Sequence, residues 1–238
     1  MNTLPLQTRA KFFIAGTDTD VGKTLVSTVL LCAAQHAGLS TLGLKPIAAG
    51  GEHTENGVQN EDALHLMTYS SIKLPYAQVN PVCLTEAIAP HIAAQREGRT
   101  VRMDRVLGFC RGALMSKAEF SVVEGAGGWR VPLNKTETMA DLAKALNIPV
   151  ILIVGIKLGC LSHALLTAEA MMRDGVRIAG WVATHLQADM PVASENVETL
   201  TQMLNFPLLL ELPFAVSPSV ETFSKSVDIQ KLLESVQL

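Results

Sequence analysis

Short apolar runs alternate with longer helical patterns along this chain. Six runs rich in β-branched and aromatic residues predict strands, at residues 11–15, 41–45, 120–124, 150–154, 178–183 and 208–212. Seven segments predict helices, at residues 23–37, 60–66, 102–117, 138–146, 162–173, 193–204 and 228–236. Because several strands show no polar alternation, both of their faces are expected to be buried. The pattern predicts an α/β fold, with one doubly wound, mostly parallel sheet, helices on both faces and a single domain over residues 1–238.

Local signals mark where several of these elements begin and end. Gly38 suits a left-handed C-cap after the first helix, and Asn60 suits the N-cap of the second. Thr138 and Asp141 have the spacing of a capping box. A polar, glycine-containing loop is predicted for residues 48–59. In doubly wound folds ligands bind at the carboxyl ends of the strands, so candidate chemistry is sought in the segments that follow them.

The first predicted strand is followed by the segment GTDTDVGKT at residues 16–24 and then by a helix. This order of strand, glycine-containing loop and helix is the setting of a phosphate-binding loop. Backbone N–H groups and the helix N-terminus hold phosphate oxygens there. Lys23 is expected to reach the β- and γ-phosphates, and the Thr24 hydroxyl to ligate Mg²⁺. Thr17 stands where the usual spacing has glycine, so Gly16 is displaced by one position and the loop is a variant.

Two acidic residues are candidates for a magnesium site. Glu124 lies where an apolar strand gives way to a glycine-rich segment, a position that suits a metal-binding or water-orienting carboxylate. A solvated loop carboxylate is the alternative, but the glycines allow close backbone approach to a ligand and favour a functional role. Asp62 falls in the first turn of a predicted helix, where the helix dipole alone accounts for an acidic residue. For Asp62 both interpretations stay open.

Three further features have both a structural and a functional explanation. Lys45 ends the second predicted strand and can neutralise a developing anion, although for this residue taken alone an ordinary surface lysine is the favoured interpretation. The turn at residues 155–160 precedes a helix whose N-terminus can hold an anion, but an ordinary strand–helix turn explains it as well. His91 follows Pro90 near a helix start, which favours a structural role.

Composition and charge exclude several classes of protein. The chain is 48% hydrophobic and 17% charged, which is too apolar for a disordered chain. Its 19 basic and 22 acidic residues are interspersed without a basic patch, so no nucleic-acid partner is expected. There is no secretory signal and no apolar run of about 18 residues, which predicts a cytoplasmic protein with no membrane association. The four cysteines form no CxxC pair and are expected to be reduced, mostly buried thiols, at Cys32, Cys83, Cys110 and Cys160.

Eight segments taken together resemble one family, dethiobiotin synthetase. They occur in the family's order over nearly the whole chain: GTDTDVGKT (16–24), GLKPIAAG (43–50), NEDAL (60–64), APHIAAQREGR (89–99), VVEGAGGW (122–129), PVILIVGIKLGCLSHA (149–164), AGWVA (179–183) and LELPF (210–214). The set is far more specific than a phosphate-binding loop alone. The resemblance implies a P-loop NTPase-like homodimer that uses ATP and Mg²⁺. It would join 7,8-diaminononanoate, CO₂ and ATP into dethiobiotin, ADP and phosphate.

The resemblance also implies roles for residues at matching positions. Lys23 and Lys45 would be the catalytic cations, with Thr19 near the reacting carbamate. The implied Mg²⁺ ligands are Thr24, Asp62 and Glu124. The implied nucleotide contacts are Asp20, Val21, Gly22, Lys23, Thr24, Leu25, Asp62, Glu124, Gly125, Ala126, Gly127, Thr184, His185, Pro213, Phe214 and Ala215. Ala49 would contact the substrate, whose carboxylate would be held by a neighbouring subunit through Gly159, Cys160 and Leu161. On this assignment, neutral isosteres of the two carboxylates should alter metal binding and leave the stability of the fold nearly unchanged.

Three positions depart from the family's usual residues. Asp20 replaces a glutamate and is one methylene shorter, and Ala49 replaces a serine whose hydroxyl is expected near the substrate. Thr184, followed by His185, replaces an asparagine that would pair with the nucleotide base. The first two departures bear on substrate positioning, and the third bears on base recognition.

Two alternatives use the same type of loop. One is a switch ATPase like those that position septa or partition DNA, but such proteins carry an early loop lysine and often a basic terminal helix, both of which this sequence lacks. The other is an ATP-dependent amide-forming ligase of the corrinoid type. Those ligases usually carry a fused glutaminase domain, for which 238 residues leave no room.

Overall fold

The computed structural model describes residues 9–235. The strands in this range are β1 (Ala10–Gly16), β2 (Thr41–Leu44), β3 (Ile47–Ala49), β4 (Glu52–Thr54), β5 (Gly57–Gln59), β6 (Val82–Leu84), β7 (Phe120–Gly128), β8 (Val150–Ile156), β9 (Ile178–His185) and β10 (Leu208–Leu212). The helices are α1 (Lys23–His36), α2 (Glu61–Thr68), α3 (Tyr76–Val79), α4 (Pro90–Arg96), α5 (Met103–Leu114), α6 (Met139–Leu146), α7 (Cys160–Arg173), α8 (Ala193–Met203), α9 (Val220–Ser224) and α10 (Ile229–Ser235).

The main sheet has six strands in the order β10–β9–β8–β1–β7–β2, and every neighbouring pair is parallel. All six predicted strands belong to it, which confirms the expected α/β class. The strand β1 lies inside the sheet, between β7 and β8. The order reverses beside β1, because β2 lies beyond β7 and the later strands follow on the opposite side. Such a switch point is where doubly wound sheets bind their ligands.

Two apolar cores cover the two faces of this sheet. Phe12 and Ile14 of β1 pack on one face with residues of α1 and α10, whereas Phe13 and Ala15 pack on the other with residues of α5 to α8. Successive side chains of a strand point to opposite faces, so a strand covered on both sides needs apolar residues at every position. This explains why the strands showed no polar alternation.

The predicted caps are present. Gly38 has a φ of 84°, Asn60 accepts a hydrogen bond from the N–H of Ala63, and Thr138 and Asp141 form a capping box. The helix predicted from residue 162 begins earlier, at Cys160, because Gly159 takes the left-handed conformation directly before it. The strand predicted to end at residue 124 continues through its glycines to Gly128. Residue 236, predicted as the end of the last helix, lies outside the described residues.

The prediction of a loop at residues 48–59 is wrong. This segment contains the end of β3 and an antiparallel hairpin of β4 and β5. The Thr54 hydroxyl accepts from the N–H of Asn56 and donates to the carbonyl of Gly57, which closes the turn. Because β4 is exposed and polar on both faces, its residues carry no alternating signal.

The remaining general predictions concern the C-terminal helix and the cysteines. Ile229 and Leu232 of α10 are buried against the α1 side of the sheet, as predicted. Among the described residues the cysteines are free, and three are buried while Cys83 is half-buried. Within residues 9–235, no helix has both the length and the hydropathy required to span a bilayer.

Candidate active site

The segment 16–24 forms a tight loop between β1 and α1. A Cβ atom at Gly16 would lie 2.8 Å from Val21 Cγ2 and 3.0 Å from Lys23 Nζ, so only glycine fits there without displacing the lysine. Gly22 has a φ of 87° directly before α1. Asp20 also has a positive φ, of 54°, a conformation that Asp adopts more readily than most other residues. The displaced first glycine is therefore compatible with a compact phosphate-binding loop.

Lys23 folds back over this loop. Its Nζ donates a hydrogen bond of 2.8 Å to the carbonyl oxygen of Asp18, and the residue is buried. The pKa of Lys23 is lowered to about 8, mainly by burial and also by the nearby Lys45, while Glu124 partly opposes the shift. Charged Lys23 is thus poorly stabilised within the loop. An anion placed at the N-terminus of α1 would stabilise it.

Lys45 joins the two candidate carboxylates. Its Nζ lies 2.8 Å from Asp62 Oδ2 and 2.6 Å from Glu124 Oε1. Burial alone would lower the pKa of Lys45, but the two carboxylates outweigh burial and raise that pKa above its ordinary value. Burial likewise acts to raise the pKa of Asp62, and Lys45 more than offsets it, so the net pKa is lowered. The three groups therefore form a charged cluster, and Lys45 is not a surface lysine.

Glu124 is the most deeply buried member of this cluster. It has no exposed surface, and its Oε1 accepts hydrogen bonds from Lys45 and from the Thr24 hydroxyl, at 2.8 Å for the latter. Its second oxygen, Oε2, is buried without a hydrogen-bond partner. A buried carboxylate oxygen without a donor is costly, and a cation would satisfy it. The solvated-carboxylate interpretation of Glu124 is therefore wrong.

The donor set of the cluster fits a magnesium ion. Thr24, Asp62 and Glu124 offer one hydroxyl and two carboxylates, and among residues 9–235 no group of three or more His, Cys, Asp or Glu side chains could hold a metal. Mg²⁺ is commonly bound by one or two carboxylates and completes its shell with water and substrate phosphates. The set is too small for a metal site built from protein ligands alone. It suits a metal that arrives with a nucleotide.

A cavity of about 690 Å³ opens beside this cluster. Nine residues of the predicted site line it: Thr19, Asp20, Gly22, Lys23, Thr24, Leu25, Lys45, Ala49 and Asp62. Ala126 and Gly127 complete the predicted part of the wall. The segment Ala87–Pro90 and the pair Val131 and Pro132 form the rest, and sequence reasoning missed them. They are small or apolar loop residues, which carry no signal of chemistry in a single sequence.

A second cavity, of about 610 Å³, lies at the ends of β9 and β10. His185, Glu211, Pro213 and Phe214 line it, and His185 Nε2 is 2.7 Å from Glu211 Oε1. Thr184 does not line it: this residue is buried, and its hydroxyl donates to the carbonyl of Val21, at 2.6 Å. Its one donor is thus used by the phosphate-binding loop.

Several predicted contacts lie outside both cavities. Val21 in the loop and Gly125 in the glycine segment are buried, and Ala215 is half-buried after β10. The turn of Gly159, Cys160 and Leu161 lines neither cavity, so within one chain the structure does not bring it to the cluster. Lys157, just before this turn, contacts the phosphate-binding loop: its Nζ is 2.9 Å from Asp18 Oδ2. Hydrogen bonding with Lys157 lowers the pKa of Asp18.

His91 was predicted to have a structural role. It is half-buried near the start of α4, and its Nδ1 has no hydrogen-bond partner among the described residues. It is not among the residues that line the cavity beside the cluster.

Comparison with known proteins identifies the family. A family model described as an AAA domain matches residues 10–219. A protein of Cellvibrio japonicus (strain Ueda107), named ATP-dependent dethiobiotin synthetase BioD, is 54% identical over 94% of this chain and 98% of its own length. The chain belongs to the dethiobiotin synthetase family. A protein of the same name from Marinobacter nauticus is 46% identical over 94% of this chain and 98% of its own length. The one from Vibrio cholerae is 43% identical over 95% of this chain and 97% of its own length.

Solved structures of other proteins share the fold of this chain. The signal recognition particle receptor FtsY of Elizabethkingia anophelis aligns with a TM-score of 0.55 at 12% identity, over 97% of this chain and 66% of that one. The septum site-determining protein MinD of Pyrococcus horikoshii OT3, complexed with Mg-ADP, aligns with a TM-score of 0.51 at 16% identity, over 97% and 87%. These likenesses confirm the P-loop NTPase-like fold. The family assignment rests on the dethiobiotin synthetases, so the switch ATPase alternative is not favoured.

Proposed function

We propose that this chain forms dethiobiotin from 7,8-diaminononanoate, CO₂ and ATP, with the charged cluster of Lys23, Lys45, Asp62 and Glu124 at the reacting centre. The assignment of this reaction rests on membership in a family of ATP-dependent dethiobiotin synthetases. The location of the reacting centre rests on one observation: the two buried lysines face one cavity at the carboxyl end of the central strand. ATP and the diamine are small-molecule substrates that a cavity of this size can hold.

The reaction needs cations more than it needs a side-chain nucleophile. One amine of the diamine takes up CO₂ as a carbamate, whose oxygen attacks the γ-phosphorus of ATP and expels ADP. The second amine then attacks the resulting carbamic-phosphoric anhydride, closes the ring and releases phosphate. Carbamate and γ-phosphate are both anions, so they repel each other unless positive charge lies between them. We assign that charge to the ammonium groups of Lys23 and Lys45.

Other residues in the cavity position the reactants. Thr19 and Ala49 line the wall near Lys45, where the carbamate would lie. The loop at residues 16–24 would hold the phosphates by its N–H groups. The base would occupy the cavity lined by His185 and Phe214. Holding two anions in reacting geometry supplies much of the acceleration in phosphoryl transfer.

Thr24, Asp62 and Glu124 would hold Mg²⁺. Bound there, the ion would neutralise charge on the phosphate oxygens during transfer. The orphaned Glu124 Oε2 supports this assignment. Further parts of the proposal are a cytoplasmic location, no nucleic-acid partner, and a homodimer in which the turn of Gly159, Cys160 and Leu161 holds the substrate carboxylate of the neighbouring subunit.

The decisive experiment is fixation of labelled bicarbonate. Purified protein is incubated with 7,8-diaminononanoate, ATP, Mg²⁺ and ¹⁴C-bicarbonate, and acid-stable label is counted. We expect acid-stable product that depends on both the diamine and ATP. Absence of that product would contradict the proposal, and ATP hydrolysis that needs no diamine would indicate a switch ATPase.

The two carboxylates should respond differently to neutral substitution. Asp62→Asn is expected to raise the Mg²⁺ concentration needed for half-maximal activity and to leave the Tm of the nucleotide-free protein nearly unchanged, because Asp62 is partly exposed and Asn60 caps its helix. Glu124→Gln should raise the Mg²⁺ requirement and also lower stability by about 1–3 kcal/mol, because it weakens a fully buried charge pair. This corrects the sequence-based expectation that both carboxylates leave the fold unaffected. Mg²⁺ titrations and thermal melts check both statements; an unchanged Tm for Glu124→Gln would contradict the second.

Thr184 leads us to expect weak discrimination between nucleotide bases. An asparagine offers a donor and an acceptor that match adenine N6 and N7, whereas the one donor of Thr184 is bonded to the Val21 carbonyl. Thr184→Asn should therefore increase the preference for ATP over GTP and CTP, by about 5- to 150-fold for one bidentate pair. The measurement is kcat/KM for the three triphosphates in both proteins. A wild type that already prefers ATP overwhelmingly, together with no change in Thr184→Asn, would place base recognition elsewhere, near Pro213 and Phe214.

A further inference from the structure

Lys45 is bonded to the same two carboxylates that the proposed function assigns to Mg²⁺. Its Nζ lies 2.6 Å from Glu124 Oε1 and 2.8 Å from Asp62 Oδ2. The side chain of Lys45 is only 5% exposed, and that of Glu124 is fully buried. An ammonium held this closely by two buried or half-buried carboxylates satisfies their charge in the way that a metal ion would. The lysine and the metal therefore depend on the same two carboxylates.

Hydrogen bonds already occupy one oxygen of each carboxylate in the cluster. Glu124 Oε1 accepts from Lys45 and also from the Thr24 hydroxyl, so two of the three proposed metal ligands are bonded to each other. Glu124 Oε2 is buried without a partner. The Thr24 hydroxyl keeps its lone pairs while it donates, so it can bind a metal without turning. A metal that binds Glu124 Oε1 or Asp62 Oδ2 must displace the ammonium of Lys45.

The net charge of the cluster also favours competition between Lys45 and a metal ion. Lys23 and Lys45 carry two positive charges, and Asp62 and Glu124 carry two negative charges. The cluster is thus balanced without a ligand, and a divalent cation added alone would leave it with an excess of two positive charges in a largely buried site. Phosphate anions that arrive with the metal would remove this excess. Lys45 also lines the cavity proposed for the carbamate, so an ammonium released from the carboxylates has an anionic partner nearby.

We infer that Lys45 is the resident counter-cation of the magnesium site, and that it competes with Mg²⁺ for Glu124 and Asp62 until the metal displaces it toward the substrate cavity. The inference rests on the proposed ligand set of Thr24, Asp62 and Glu124. It gives Lys45 two successive partners: the carboxylates in the free protein and the substrate anion in the loaded one. The ammonium would then reach the substrate only in molecules that already hold metal and nucleotide.

The test measures metal binding in the nucleotide-free protein. Mn²⁺, which can replace Mg²⁺ at oxygen ligands and is visible by electron paramagnetic resonance, is titrated into wild type and Lys45→Met. We expect Lys45→Met to bind Mn²⁺ at least about tenfold more tightly, because the competing ammonium is gone. The matched control is Lys23→Met, which removes the other buried ammonium; Lys23 donates to the Asp18 carbonyl and touches neither carboxylate. Its effect should be only a few-fold, from the lost charge alone.

A second measurement, of thermal stability, shows whether Lys45→Met is folded. The Tm of Lys45→Met should fall in EDTA and recover with millimolar Mg²⁺ in the absence of nucleotide, whereas the Tm of wild type should respond little. If Lys45→Met does not fold even with Mg²⁺, Lys45→Gln replaces it with the same expected gain in Mn²⁺ affinity. Adding Glu124→Gln to either variant should abolish the gain, which would locate the ion at that carboxylate.

The Mn²⁺-binding results can be interpreted independently of the labelled-bicarbonate assay. Mn²⁺ affinity in Lys45→Met no higher than in wild type, or no higher than in Lys23→Met, would overturn the competition. A gain that survives Glu124→Gln would also overturn it, because the metal would then bind elsewhere. These measurements use neither diamine nor ATP. A gain in affinity together with failed bicarbonate fixation would support the competition and contradict the proposed reaction.

Discussion

Replacing Lys45 with alanine is expected to lower the rate of dethiobiotin formation by about 10²–10³-fold. Its ammonium is buried beside the cavity in which the two anions would meet, and alanine removes that charge. Lys23→Ala is expected to cause a loss of the same order, because Lys23 would contact the transferred phosphoryl group. Both losses should appear in kcat, since the cations act most strongly on charge that develops during transfer. The labelled-bicarbonate assay at saturating ATP measures them.

A matched control tests whether any lysine would give the same result. Lys144 lies on α6 with a largely exposed side chain paired to Asp141, so Lys144→Ala should retain normal turnover. Near-normal turnover of Lys45→Ala, in protein whose circular dichroism matches wild type, would exclude Lys45 from the reacting centre. A loss confined to KM for ATP in Lys23→Ala would place that lysine in nucleotide binding and not in transfer.

A bulky residue at Gly159 is expected to abolish diamine binding and to spare ATP binding. The expectation follows from the proposed dimer, in which the turn before α7 holds the carboxylate of the neighbouring subunit's substrate. A Cβ at Gly159 would have no atom within 4 Å beyond the adjacent residues, so the chain itself has open space for the tryptophan of Gly159→Trp, and in the proposed dimer that tryptophan would block the substrate carboxylate. Calorimetric titration with diaminononanoate and, separately, with a nonhydrolysable ATP analogue checks both statements.

Mixed dimers test whether the site spans two subunits. In a heterodimer of Gly159→Trp with Lys23→Ala, one composite site keeps an intact loop and an intact turn, so about half of the wild-type activity per dimer should return. Gly159 has a φ of +90°, which strains any residue with a side chain. Gly159→Asn is the control, because asparagine tolerates this conformation and is small. If heterodimers form but stay inactive, each site is built within one subunit.

The sequence predicted the parts of this protein that depend on local pattern. The six sheet strands, the caps at Asn60 and Thr138 and the position of the phosphate-binding loop all follow from short-range periodicity or from single capping residues. The hairpin of β4 and β5 could not be predicted, because strands exposed on both faces have no alternating pattern. The start of α7 and the end of β7 differ from the predicted residues because glycines there adopt conformations that composition does not reveal.

The candidate site was predictable only in part. The loop residues could be named from one contiguous segment, but for Lys45 and Asp62 considered alone a structural explanation was at least as good as a functional one. Their pairing with Glu124 joins residues from separate elements and exists only after the sheet has formed. The bond between Thr184 and the Val21 carbonyl, and the pair of His185 and Glu211, are of the same long-range kind. Resemblance to a family supplied Thr184 and His185, whereas periodicity could not.

The interior position of β1 has a consequence for how the protein folds during synthesis. β1 contains some of the first described residues, but both of its neighbours, β7 and β8, come more than about 100 residues later in the chain. The bond between Thr24 and Glu124 spans 100 positions. Such long loops are slow to close, and at about 5–20 residues per second a nascent chain carries its phosphate-binding loop for several seconds before either partner strand exists. ATP should therefore bind and stabilise only chains that already extend past β8.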